Sequence, residues 1–140
     1  EIGADCPFFI KNKPAFAKGT GNLLEEVELD LSSYFLVLVK PDITVSTKEA
    51  YSLISPVPPE IPLGEIIQKP VSEWKGLLKN DFEPPIFKKY PEICRIKEQL
   101  YAKGAVYASM SGSGSSVYGF FEKETDIRFD NCWVWKNKEL

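Results

Sequence analysis

From Met110 to Phe121 the chain reads MSGSGSSVYGFF. Ser111, Gly112, Ser113, Gly114 and Ser115 form a run of small residues, and an apolar, aromatic segment follows at once. Successive backbone N–H groups in such a run can form a concave nest for an anion, and the hydroxyls add further donors. The glycines admit φ > 0 and let a ligand come close to the backbone. The same run also suits a loose hairpin turn, and from these residues alone the two readings stand level. A flexible linker fits less well, because Val117, Tyr118, Phe120 and Phe121 follow so closely. No G-K-[ST] comes after the glycines, so the run is not a Walker-type phosphate loop.

A second group with chemical potential is Asp5, in GADCPFF. Its small and apolar neighbours would perturb the ionisation of the carboxyl, as in a general base. Spacing alone favours the other reading, a helix-capping Asp. Gly19, Thr20 and Gly21, in KGTG, read as a turn. The chain contains no histidine, which removes Ser-His-Asp and Cys-His catalysis and imidazole metal ligation. Cys6, Cys94 and Cys132 are odd in number, far apart and without a C-x-x-C, as in a reduced, cytoplasmic protein. No metal site is expected from these residues.

These groups need elements to hold them. PAFAKGTGNLLEEVELDL suggests a hairpin-like pair, with a turn at Gly19–Gly21 and a return strand alternating at Val27 and Leu29. YFLVLVKP, over 34–41, reads as a central strand buried on both faces. STKEAYSLI predicts a short helix with a capping box from Ser46 to Glu49. LGEIIQKPVSEWKGLL fits two short helices broken at Pro70. The stretch from Asn80 predicts a helix with Ile93, Ile96 and Leu100 on one face, closed at Gly104. AVYASM and SVYGFF are strands, and CWVWK is an edge strand. The sum is an α+β fold, an antiparallel sheet with helices packed on one face.

Length and charge narrow the partners. At 140 residues the chain is one domain, 1–140, with no internal boundary or repeat, and 44% apolar content suffices for a core. A net charge of −3 with no basic block argues against nucleic acid and anionic membranes. No apolar run reaches membrane-spanning length, and the start, which lacks Met, is no signal peptide. The chain reads as excised from a longer one.

Taken together, IGADCPFF, PAFAKGTGNLLEEV, VLVKPDITVSTKEAY, NDFE at 80–83 and GAVYASMSGSGSSVYGFF occur in the order, and with gaps, that resemble the C-terminal half of the GHMP small-molecule kinases. The resemblance covers most of the chain from Ile2 to about Glu122. It is nearest to the branch that acts on a diphosphocytidyl polyol in non-mevalonate isoprenoid biosynthesis. It implies an ATP-dependent phosphotransferase to an alcohol. Asp5 matches the family's catalytic carboxylate, which orients and deprotonates the substrate hydroxyl. Ser111–Ser116 matches the Gly-rich loop bordering the phosphate-transfer site, and Gly19–Gly21 the turn beside the substrate. Thr47 and Tyr51 would line a cytidine pocket, with Tyr51 stacked on the base. Without the resemblance, Tyr51 reads as an ordinary core aromatic.

The chain departs from the family's pattern in two ways. The upstream phosphate loop and active-site Lys are absent, so ATP and Mg²⁺ would be held mainly by a missing N-terminal half, the partner of this domain. The fragment alone is expected to be inactive. At the other end, EKETDIRFDN is too short for the helix that a ferredoxin-like βαββαβ pattern would place there. That would leave one sheet face partly uncovered and could favour self-association. The oligomeric state is left open. Two rival readings stand: a homoserine, mevalonate or sugar kinase of the same family, or a non-catalytic α+β module that binds a small ligand.

Overall fold

The computed structural model describes residues 6–137. The chain divides into two compact units, one ending at Leu31 and the other beginning at Ser32.

The first unit holds helix α1 (Cys6–Lys11) and a hairpin of β1 (Ala15–Lys18) and β2 (Leu23–Glu26). The return strand comes earlier than the alternation of Val27 and Leu29 suggests. Gly19 and Gly21, at φ +66° and +89°, turn the chain tightly enough for Leu23 to face Lys18. The register then places Glu25 and Glu26 within reach of lysines. Lys18 pairs with Glu25 at 2.7 Å, and Lys13 with Glu26 at 3.1 Å. These exposed pairs reinforce a register that the turn already sets.

The second unit contains β3 (Phe35–Pro41), α2 (Thr47–Leu53), α3 (Leu63–Ile67), a 3₁₀ turn (Val71–Glu73), α4 (Glu83–Lys89), α5 (Pro91–Ala102), β4 (Tyr107–Met110), β5 (Val117–Phe121) and β6 (Cys132–Lys136). The four strands form an antiparallel sheet in the order β4-β5-β3-β6, with β6 at an edge. Val37 and Val39 of β3 are buried, whereas Leu36 and Leu38 are only partly covered and Lys40 is exposed. The apolar run is therefore an alternating strand with one fully buried face, not a doubly buried one. On that face Val37, Val39, Ala108, Met110, Val117 and Phe121 pack against Ala50, Ile86, Ile93, Ile96 and Leu100 of the helices.

The other face is covered at one end only. Trp74, just after the 3₁₀ turn, sits edge-on to Tyr107 and Phe120, with centroids 5.6 and 6.4 Å away. At the far end Trp133 and Trp135 of β6 are exposed. No helix lies between β5 and β6. Ile127, buried in the core, and Phe129, packed against it, fill in from an irregular segment.

Two helical expectations are corrected. The stretch after Asn80 forms two helices, α4 and α5, instead of one. Pro91 has no N–H to continue α4 and keeps Tyr90 out of the helical region, at φ −126° and ψ 76°. The capping box of α2 is incomplete, because the Ser46 side chain makes no cap bond. The carboxylate of Glu49 keeps its hydrogen bond from the Ser46 backbone, and it is also paired with Lys89 and accepts from the Tyr90 hydroxyl at 3.3 Å. It thereby ties α2 to the junction of α4 and α5. Among the described residues, no helix is long and apolar enough to cross a membrane.

Candidate active site

The Ser/Gly run is the connection between β4 and β5, whose last ladder pair is Met110 with Val117. It is a tightly bonded loop. Ser111 N–H donates to Ser116 O at 2.8 Å, and Gly114 N–H to Ser111 O at 3.0 Å. Gly112 and Gly114 take φ of +54° and +94°, a region costly for side-chain-bearing residues. A Cβ on Gly114 would lie 2.8 Å from Met110 Sδ, whereas one on Gly112 would meet open space.

Side chains from the 80–83 stretch and from β3 hold this loop, together with one of the loop's own hydroxyls. Asn80 donates from Nδ2 to Met110 O and to Gly112 O, both at 2.8 Å. Glu83 is buried at the start of α4. Its Oε1 accepts from Met110 N–H at 2.8 Å and from the Ser109 hydroxyl at 3.1 Å, while its Oε2 pairs with Lys97 at 2.5 Å. Ser115, also buried, donates its hydroxyl to Ile43 O and accepts from Lys40 Nζ at 3.1 Å. The backbone N–H groups of Gly112 and Ser113 have no acceptor among the described residues. Two adjacent free donors on a clamped, glycine-shaped loop are what an anion needs.

Beside the loop lies an open cleft of about 580 Å³, lined by Tyr51, Asn80, Phe82, Tyr118, Ser111 and Gly112 among others. Tyr51 is 63% exposed, so the core-aromatic reading of it does not hold. Its ring stands edge-on to Phe82, with centroids 5.1 Å apart, which leaves a face for a planar ligand. On the inner wall, burial raises the hydroxyl pKa values of Tyr107 and Tyr118 above the ordinary phenol. Both therefore stay protonated, and Tyr107 donates to Leu78 O at 3.1 Å.

The structure thus brings Tyr51 together with Ser111 and Gly112. Thr47 is the first residue of α2, one turn before Tyr51, and is exposed outside the cleft lining. Ser113, Gly114 and Ser115 belong to the loop but not to that lining. Gly19, Thr20 and Gly21 form the hairpin turn of the first unit, where Thr20 Oγ1 donates to Asn22 Oδ1 at 3.1 Å. Asp5 lies outside the described residues. Asn80, Glu83, Lys40 and Phe82 were not expected at the site. Only the NDFE stretch carried a signal, and a polar residue ahead of a helix reads first as a cap.

A larger cavity, about 720 Å³, lies between α5 and the segment before β6. Its charged residues are of mixed sign, Arg95, Lys103 and Arg128 with Asp42, Glu92 and Asp130, and none belongs to the loop. Size alone does not move the site there. Among the described residues, no three Cys, Asp or Glu side chains converge as metal ligands would.

Known proteins share this sequence and fold. Residues 64–129 match the family model described as GHMP kinases C terminal. A protein of Parabacteroides distasonis named 4-diphosphocytidyl-2-C-methyl-D-erythritol kinase is 57% identical over 98% of this chain and 52% of its own length. A Bacteroides fragilis protein of the same name is 59% identical over 98% of the chain and 51% of its own length. The chain spans about half the length of the curated relatives it matches. Among solved structures, a 4-(cytidine 5'-diphospho)-2C-methyl-D-erythritol kinase superposes with a TM-score of 0.69 at 30% identity, over 84% of this chain and 44% of that one. A homoserine kinase from Cytophaga hutchinsonii, with a TM-score of 0.52 at 22% identity over 79% of this chain and 39% of that one, shares the fold. The β4–β5 loop, Asn80 and Glu83 lie inside the region that the family model matches, and the relatives align over nearly the whole chain: the chain belongs to the GHMP kinases, as a C-terminal domain of that family.

Proposed function

We propose that residues 1–140 are the C-terminal domain of an ATP-dependent kinase that phosphorylates the 2-hydroxyl of 4-diphosphocytidyl-2-C-methyl-D-erythritol. The enzyme would work in the cytoplasm, in non-mevalonate isoprenoid biosynthesis. The observation that carries this reading is the shared cleft: an exposed Tyr51 ring beside a clamped loop with free N–H donors. The names of the relatives at 57% and 59% identity point the same way.

In this reading Asp5 orients the substrate hydroxyl and takes its proton as the oxygen attacks the γ-phosphorus, and ADP leaves. Phosphoryl transfer needs placement and charge stabilisation more than covalent help from the protein. The N–H groups of Gly112 and Ser113 bind phosphate oxygens, with Ser111, Gly114 and Ser115 shaping the loop. Tyr51 stacks on the cytosine, Thr47 borders it, and Gly19, Thr20 and Gly21 flank the rest of the substrate. The described residues fit a phosphate and offer no metal cluster. In this reading Mg²⁺ and most of the ATP contacts belong to the protein's own N-terminal domain, and these 140 residues alone do not turn over ATP. Mg²⁺, when bound, would neutralise charge on the transferring phosphates.

The test is a coupled ADP-release assay on the full-length parent with ATP and the cytidyl substrate. Turnover with that substrate, and none with homoserine or mevalonate, is expected. A parent that phosphorylates homoserine or mevalonate but not the cytidyl polyol would overturn the assignment.

A further inference from the structure

The direction in which the Ser/Gly loop offers its donors is set from outside the loop. Asn80 gives both hydrogens of one amide to two carbonyls, Met110 O and Gly112 O, each at 2.8 Å. Only a nitrogen with two hydrogens can make that bridge from one terminal atom of a short neutral side chain. The amide oxygen is also used, accepting from Phe82 N–H at 3.0 Å. The side chain is therefore held at both ends.

In a trans peptide the carbonyl and the following N–H point in opposite directions. Drawing the Gly112 carbonyl toward Asn80 turns the Ser113 N–H away from it. The same reasoning applies to the Met110 carbonyl and the Ser111 N–H, which donates to Ser116 O at 2.8 Å and closes the loop. Ser113 N–H, by contrast, has no acceptor among the described residues. Glu83 steadies the base of the arrangement by accepting from Met110 N–H at 2.8 Å.

We infer that Asn80 is a positioning residue for phosphoryl transfer: by pinning the Met110 and Gly112 carbonyls, it presents the Ser113 N–H to a phosphate oxygen. This rests on the kinase reading above and deepens it. Asn80 acts through the backbone and is assigned no contact with substrate.

The experiment compares full-length wild type with Asn80→Asp and Asn80→Ser. Asp keeps an oxygen for Phe82 N–H but loses both donors. Ser is neutral, keeps an acceptor, and cannot bridge both carbonyls, so it separates loss of the clamp from an added charge. Both variants should lower kcat by roughly 10²-fold, the scale of a misplaced transition-state donor, with KM for the cytidyl substrate within about threefold. In ¹⁵N spectra, adding a non-hydrolysable ATP analogue with Mg²⁺ should move the Ser113 amide in wild type and not in the variants. A kcat within about threefold of wild type in both folded variants overturns the inference. So does a Ser113 amide that never moves in wild type, or that moves equally in all three proteins. If Asn80→Asp does not fold, Asn80→Ser decides. If wild type fails to phosphorylate the cytidyl substrate, yet its Ser113 amide responds to the ATP analogue and the variants' does not, the substrate assignment falls and the positioning role stands.

Discussion

Tyr51 stands edge-on to Phe82, with ring centroids 5.1 Å apart and planes at 78°. Phe82 packs against the core while Tyr51 is mostly exposed, so a ring anchored in the core steadies one that faces solvent. That is how a surface aromatic can be stiff enough to stack without being buried.

Tyr51→Ala in the full-length protein should weaken binding of the cytidyl substrate by about 1–3 kcal/mol, the range for a base stacked on an aromatic ring. Tyr51→Phe should be mild, because the stacking face survives. Calorimetry on variants with wild-type melting curves separates binding from folding. Equal affinity in a folded Tyr51→Ala protein would move the cytidine pocket elsewhere.

Asp5→Asn in the full-length parent should lower kcat by roughly 10²–10⁴-fold, the span of a lost general base. The amide is nearly isosteric, so substrate Kd should change little. Single-turnover kinetics with a parallel binding titration measures both. Activity within about threefold of wild type would make Asp5 a helix cap.

Much of this arrangement was legible in the sequence, and the reasons differ by element. The strands on either side of the Ser/Gly run were readable because β-branched and aromatic residues stop abruptly at small ones. The break at Pro70 was readable because proline has no N–H. Pro91 carried the same signal, but the apolar spacing of Ile93, Ile96 and Leu100 continues so regularly that it hid the break at Tyr90. The two-sided burial expected of β3 failed for a different reason. An apolar run records which residues can be buried, and the sheet's second face is covered only near Trp74. The clamps on the loop were legible only as a polar stretch ahead of a helix. Asn80 and Met110 are thirty residues apart, and nothing local to NDFE says which carbonyls its amide will meet.

Glu49 makes a prediction about acid stability. Its carboxyl is held below its ordinary value of 4.5, chiefly by the hydrogen bond from Lys89 and also by Tyr90 and the Ser46 backbone. A carboxylate whose folded-state pKa is depressed adds stability above its unfolded value and loses it as pH falls through the folded one. Glu49→Gln should therefore be less stable than wild type at neutral pH, and the gap should close as pH drops below about 4.5. Because the group is solvent-accessible, the gap should also shrink in high salt. Urea melts at a series of pH values measure this. A gap that is constant or widens toward acid would mean that the pair does not link α2 to the α4–α5 junction in solution.

The two glycines of the loop should part company under substitution. Both have positive φ, but Gly112 faces open space and lines the cleft, whereas Gly114 packs on Met110. Gly112→Asn should fold almost as well as wild type, since Asn tolerates the left-handed region and its side chain has room. That side chain would nonetheless stand in the cleft, so the variant should lose kcat/KM by about tenfold or more with little change in melting temperature. Gly114→Val meets two obstacles at once. A β-branched residue is poorly tolerated at φ +94°, and its Cβ would start 2.8 Å from Met110 Sδ, at the edge of the core. It should cost about 1–3 kcal/mol of stability as well as activity. Thermal melts and steady-state kinetics on the same preparations compare the two. A Gly112→Asn protein that retains full kcat/KM would mean that the loop does not face the ligand, and a Gly114→Val protein as stable as wild type would mean that the loop is not held against Met110.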